Sequence, residues 1–161
     1  MSASPDDAAW IKPLGAIPSG LFVLTLRLQE RETGLLVSWV QQCGFDPPLV
    51  SLALGQGRYP ARWLAAGAAA TLNQLSDEDS ALLKHFARGF GEDEPAFAGL
   101  TLRRRPDLAP VLEGALGYLD LAAQPPHVLG DHALFVCRVV DGGLLKPGKP
   151  WLHTRRSGLS Y

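Results

Sequence analysis

Apolar residues along this chain come in short runs separated by glycine, proline and charged turns, a pattern that favours strands over long helices. Residues 20–28 (GLFVLTLRL) are rich in β-formers. The polar stretch Gln29–Gly34 follows, then a second apolar run over Leu35–Val40, which predicts a β-hairpin with a charged tip. Asp46-Pro47-Pro48 marks a turn, and Leu49–Leu54 reads as a buried third strand ending at Gly55-Gln56-Gly57. Pro60 suits the first turn of a short helix over Ala61–Ala66, with Gly67 as its stop. A strand over Ala69–Leu75 follows. Ser76-Asp77-Glu78-Asp79 offers a cap and an acidic first turn for a helix reaching about Arg88, with Leu82, Leu83 and Phe86 on one face and Gly89 at its end. Further on, Leu100–Arg103 reads as a short strand. Residues 114–121 suit helix by composition and strand by the alternation around Tyr118 and Leu119; strand is preferred. His132–Val140 is the clearest late strand, with Gly142-Gly143 as a turn and Leu144-Leu145 as a brief partner. No repeat or linker divides the chain. The expectation is one domain over residues 1–161, mainly β with helical insertions, arranged as a small barrel.

Composition narrows the function more than the fold. With 161 residues, 47% of them hydrophobic, the chain can bury a core, and a net charge of −1 supplies no global field for nucleic acid or an anionic membrane. The start, Met1-Ser2-Ala3-Ser4-Pro5-Asp6-Asp7, lacks a secretory pattern, and the Ala-rich run Leu64–Leu72 is too short to span a bilayer. Cys43 and Cys137 are widely separated and form no CxxC pair, which fits a reducing cytoplasm.

Classical catalytic motifs are missing. His85, His127, His132 and His153 form no HxxxH or HxH pair, and no GxSxG elbow or Walker loop occurs. Residues 55–60 (GQGRYP) fail the dinucleotide fingerprint, because Pro60 stands at the third glycine. An enzyme built this way would take its chemistry from a bound cofactor.

Gly34–Pro48 (GLLVSWVQQCGFDPP) resembles the flavin-contacting strand of the flavin reductase-like, FMN-binding split-barrel family. The resemblance continues, in order, through residues 71–75 (TLNQL), 83–90 (LKHFARGF), 97–99 (FAG), 130–132 (GDH) and 153–161 (HTRRSGLSY). The flavin reductase modules of diflavin flavoproteins are especially similar.

The resemblance implies an antiparallel split β-barrel, a homodimer, and FMN bound near the subunit interface, with FAD as the other candidate flavin. It places Val37, Ser38, Trp39, Val40 and Gln41 on the strand against the flavin, and Asn73 beside the cofactor. His132 matches a position on the nicotinamide side of the ring, while His153 and Tyr161 lie in a tail folding over the site. The phosphate segment departs from the family: residues 57–62 (GRYPAR) hold no Ser or Thr, so Arg58 or Arg62 would meet the phosphate. The expected activity is NAD(P)H-dependent flavin reduction, serving a monooxygenase or another redox partner. A flavin-binding electron-transfer module without NAD(P)H activity, and a ligand-free structural relative, are the alternatives.

Overall fold

The computed structural model describes residues 8–160. Helix α1 (Ile11–Gly15) and the two-residue strand β1 (Ser19–Gly20) precede a hairpin of β2 (Phe22–Leu28) and β3 (Arg31–Val37). Next come β4 (Val40–Phe45), β5 (Pro48–Gly55), α2 (Tyr59–Ala65), β6 (Ala69–Gln74) and α3 (Ser80–Ala87). The rest comprises β7 (Leu102–Arg103), β8 (Val111–Leu112), β9 (Gly117–Ala123), β10 (His127–Leu129), β11 (His132–Leu144) and β12 (Leu152–His153). The main sheet is antiparallel in the order β3-β2-β6-β9-β11-β5-β4, with β10 added to β11. Among the described residues no pairing joins β3 to β4. The mainly-β class with helical insertions is as expected.

Period-two alternation sorts the side chains onto two faces. Leu24 and Leu26 of β2, Val50, Leu52 and Leu54 of β5, Leu72 of β6 and Phe135 of β11 form the main core, closed at one side by Trp63 and Leu64 of α2. A second core lies on the opposite face of β2, where Val23 meets Leu75, Phe86 and Leu112. Segment 105–115 and α3 cover that face.

Several boundaries correct the sequence reading. The hairpin tip is two residues, Gln29 and Glu30, with Gln29 at φ 56°; Arg31–Thr33 continue the strand. The run 35–40 is broken, since β3 ends at Val37 and β4 starts at Val40. Ser76–Asp79 is a turn before α3: Asp79 accepts from the Ser76 N–H (2.6 Å) and from Lys146 Nζ (2.5 Å), so its carboxylate closes the turn. Gly142 and Gly143 form no turn. They continue β11 opposite Leu119 and Tyr118.

Candidate functional site

On β5 the large residues point inward and the small ones, Ser51, Ala53 and Gly55, point out. Their partners on β11 are Val136, Leu134 and His132, which share that outer face and stay half-buried. The small side chains of β5 therefore form a low strip between those of β11 and β4, which we term the groove. Its opposite side is β4, where Gln41 faces Ser51, whose hydroxyl donates to the Gln41 carbonyl (3.3 Å).

The break between β3 and β4 supplies the end of the groove. The Ser38 carbonyl accepts from the Val40 N–H (2.9 Å), a tight turn that projects Trp39, and the Ala53 N–H donates to the Trp39 carbonyl (3.0 Å). The Trp39 ring lies 4.6 Å from the His132 ring, tilted by 42°. His132 Nδ1 is 2.8 Å from Asp131 Oδ1, and this contact holds the Asp131 carboxyl below its ordinary range. Arg155 sets its guanidinium 4.8 Å above the Trp39 ring. Arg58 lies along Gly55, where an added Cβ would come within 3.2 Å of Arg58 Cδ. One surface therefore carries an aromatic pair, two arginines and a groove of small residues.

This geometry gathers Ser38, Trp39, Val40, Gln41, Arg58 and His132, although not all as expected. Val37 is 7% exposed and its side chain belongs to the main core, leaving only its backbone near the surface. Val40 also packs on that core. Gln41 is exposed, and its amide Nε2 donates to the Gln42 carbonyl (3.4 Å) at the groove edge. His153 is half-buried and pairs with Ser19, in a β1–β12 ribbon beside β4. Tyr161 lies outside the described residues. Of the two phosphate candidates, Arg62 is committed to Glu92 (3.1 Å) and the Gly57 carbonyl (3.1 Å).

Asn73 stands apart and corrects the sequence reading. It points to the second face, is 0% exposed, and spends its amide inside the protein. Nδ2 donates to the Val23 carbonyl (3.2 Å), and Oδ1 accepts from the Leu112 N–H (2.8 Å). It ties β8 to the sheet and has no surface for a ligand. Ser51, Ala53, Gly55 and Arg155 were missed. The signal for the first three was a strand alternating large and small residues; Arg155 had no local signal.

Burial pushes the Cys137 thiol up to about 11, so this cysteine is an inert core residue. Among the described residues no group of three or more His, Cys, Asp or Glu could hold a metal, and no helix is long and apolar enough to cross a membrane.

The fold and its relatives agree. The structure superposes on the NADH:FAD oxidoreductase SgcE6 of Streptomyces globisporus with a TM-score of 0.83 at 21% identity, covering 98% of this chain and 95% of that one. The styrene monooxygenase flavin reductase of Pseudomonas putida gives 0.73 at 22% identity, covering 88% and 89%. In sequence, diflavin flavoprotein A 1 of Synechocystis sp. (strain PCC 6803) is 30% identical over 152 residues, which is 93% of this chain and 26% of that protein. The chain thus spans about a quarter of the length of the curated relatives it matches. The flavin reductase like domain matches residues 14–158, nearly the whole described chain, and the protein belongs to that family.

Proposed function

We propose that this protein is an NAD(P)H-dependent flavin oxidoreductase that binds FMN, or FAD in its place, across the groove of Ser51, Ala53 and Gly55. The observation that carries this reading is that groove, floored by small side chains and bounded by Trp39, His132 and Arg58 on one surface. The residues fit a flavin. A flat heterocycle, apolar in body and polar at its edge, needs close backbone approach and few steep side chains, which this floor supplies. We read the open sheet as the split barrel of the family.

When bound, the flavin supplies a two-electron acceptor for hydride from the nicotinamide. The chain's own part is positional. Arg58, exposed beside Gly55, offers a cation to the phosphate, and Gln41 can turn its amide to the ring edge. His132, steadied by Asp131, faces the nicotinamide side, and Trp39 walls off water. Reduced flavin would serve a monooxygenase or another redox protein.

A second copy of the chain is part of the proposal, because Val128 is 63% and Leu129 56% exposed on β10 beside the half-buried Leu134. Covering them in a homodimer would close the groove. Localisation to the cytoplasm belongs with this reading as well.

The test is the visible spectrum of the purified protein with added FMN, under anaerobic conditions, before and after NADH or NADPH. Flavin bands that bleach with either nucleotide support the reductase. Bands that bleach only with dithionite point to an electron-transfer module, and failure to retain or reduce any flavin defeats both.

A further inference from the structure

We propose that Arg138 is a specificity-determining residue for NADPH, meeting the 2′-phosphate of its adenosine while the nicotinamide lies by His132. This rests on the reductase reading above.

Strand pairing fixes where Arg138 stands. Along β11 the residues His132, Leu134, Val136 and Arg138 alternate onto the outer face, opposite Gly55, Ala53, Ser51 and Leu49 of β5. The buried Ala133, Phe135 and Cys137 between them point into the main core. The groove strip and Arg138 therefore share one face of one ladder. Arg138 follows His132 by six positions, a span of about 20 Å at the rise of a strand. No register shift interrupts that span, since the β9–β11 irregularity begins only after Val139.

Its surroundings leave the charge uncompensated. The neighbours of Arg138 on this face are Leu49 across on β5, Ala122 across on β9 and Val136 two positions back, all uncharged. Among the described residues its side chain makes no ion pair or hydrogen bond, whereas Arg31, Arg62, Arg88, Arg103, Arg104 and Arg105 all lie within ion-pair distance of a carboxylate. Arg138 is exposed and Ala122 beside it is small, so the guanidinium can reach a ligand on this face without giving up a partner. A planar fork of donors takes a phosphate through two oxygens at once, which the point charge of a lysine does not.

The position selects the phosphate. Arg58 stands beside Gly55, at the end of the strip nearest His132, and remains with the flavin phosphate. Arg138 lies at the other end, past Ser51 and Val136. A dinucleotide with its nicotinamide at His132 and its length along β11 crosses the half-buried apolar pair Leu134 and Val136 before it reaches Arg138. The bridging phosphates come midway in that run, and the adenosine 2′-phosphate comes at its end. NADH carries a hydroxyl there, so the contact separates NADPH from NADH and leaves the hydride-donating end alone.

The experiment measures NADP+ and NAD+ binding to the FMN-loaded protein by calorimetry, with 2′,5′-ADP and 5′-AMP as fragment probes. Steady-state oxidation of NADPH and NADH and an FMN titration accompany it, for wild type, Arg138→Gln and Arg138→Lys. Wild type should hold NADP+ and 2′,5′-ADP more tightly than NAD+ and 5′-AMP. Arg138→Gln should weaken NADP+ and raise the NADPH KM about tenfold, while the NADH KM and FMN affinity move less than about twofold. The salt dependence of the NADPH KM should flatten, and Arg138→Lys should recover part of the loss. An unchanged NADPH KM in Arg138→Gln overturns the proposal. So does an equal rise in the NADH KM, which would put Arg138 on a group both nucleotides carry, and so does a matching loss of FMN affinity. If wild type oxidises NADH and only these predicted shifts fail, the reductase reading survives. If wild type binds FMN and oxidises neither nucleotide, both readings fall.

Discussion

Asn73 shows how a residue's type can be informative while its role is not. An amide in the apolar run of β6 must find partners, since burying it without them is costly. The sequence could not say whether those partners were a ligand or the chain itself, because Leu112 and Val23 are 39 and 50 positions away. The structure assigns them to the chain. Replacing Asn73 by Ala should therefore cost about 2–3 kcal/mol of stability, because the Leu112 N–H loses its acceptor in a fully buried place. FMN affinity of the folded fraction should not change. Urea unfolding checks the first statement, and a loss below about 0.5 kcal/mol would show that water or a neighbour replaces the amide. Trp39 is the opposite case. Its side chain was legible as a candidate, yet the His132 and Arg155 contacts that give it a setting come from segments far along the chain.

At the scale of elements, alternation and turn residues located most strands, and they failed where glycine serves packing instead of turning. Gly142 and Gly143 look like a turn in sequence. In the structure they run straight on in β11, and a Cβ at Gly142 would lie 2.6 Å from the Tyr118 carbonyl oxygen. The β9–β11 register shifts between Val139 and Asp141, just before these glycines. Gly142→Ala should then destabilise the protein by about 1–3 kcal/mol as backbone is pushed aside, whereas a true turn glycine with an ordinary φ would tolerate alanine. Thermal unfolding of the variant distinguishes the two, and an unchanged midpoint would return these residues to a turn. The hairpin tip was misplaced for a related reason: charged residues at 30–32 look like loop, yet Glu32 and Arg31 pair with Arg27 and Leu28 as strand.

At the scale of the whole molecule, Glu92 joins three separate parts. Trp63 Nε1 donates to it (3.0 Å), Arg62 pairs with it from α2 and Arg31 from β3 (3.3 Å), while Arg31 also lies over the Trp63 ring. The Trp63 hydrogen bond, aided by the two arginines, holds the Glu92 carboxyl below its ordinary value of 4.5. A lowered native value means that the unfolded chain takes up a proton first as pH falls. The stabilisation is therefore full above the ordinary value and is lost as pH drops through the native one. Urea midpoints at about pH 7 and about pH 3 should differ less for Glu92→Gln than for wild type, and equal differences would remove Glu92 from the acid response. The sequence by itself determined the β class, most strand positions and the family, because period-two alternation and ordered local motifs are written in neighbouring residues. Only the tertiary structure decided that Asn73 is internal, that small residues of β5 make the groove, and that Arg155 reaches Trp39. Those facts depend on which strand lies beside which, and strand order is a property of long-range packing that no local pattern encodes.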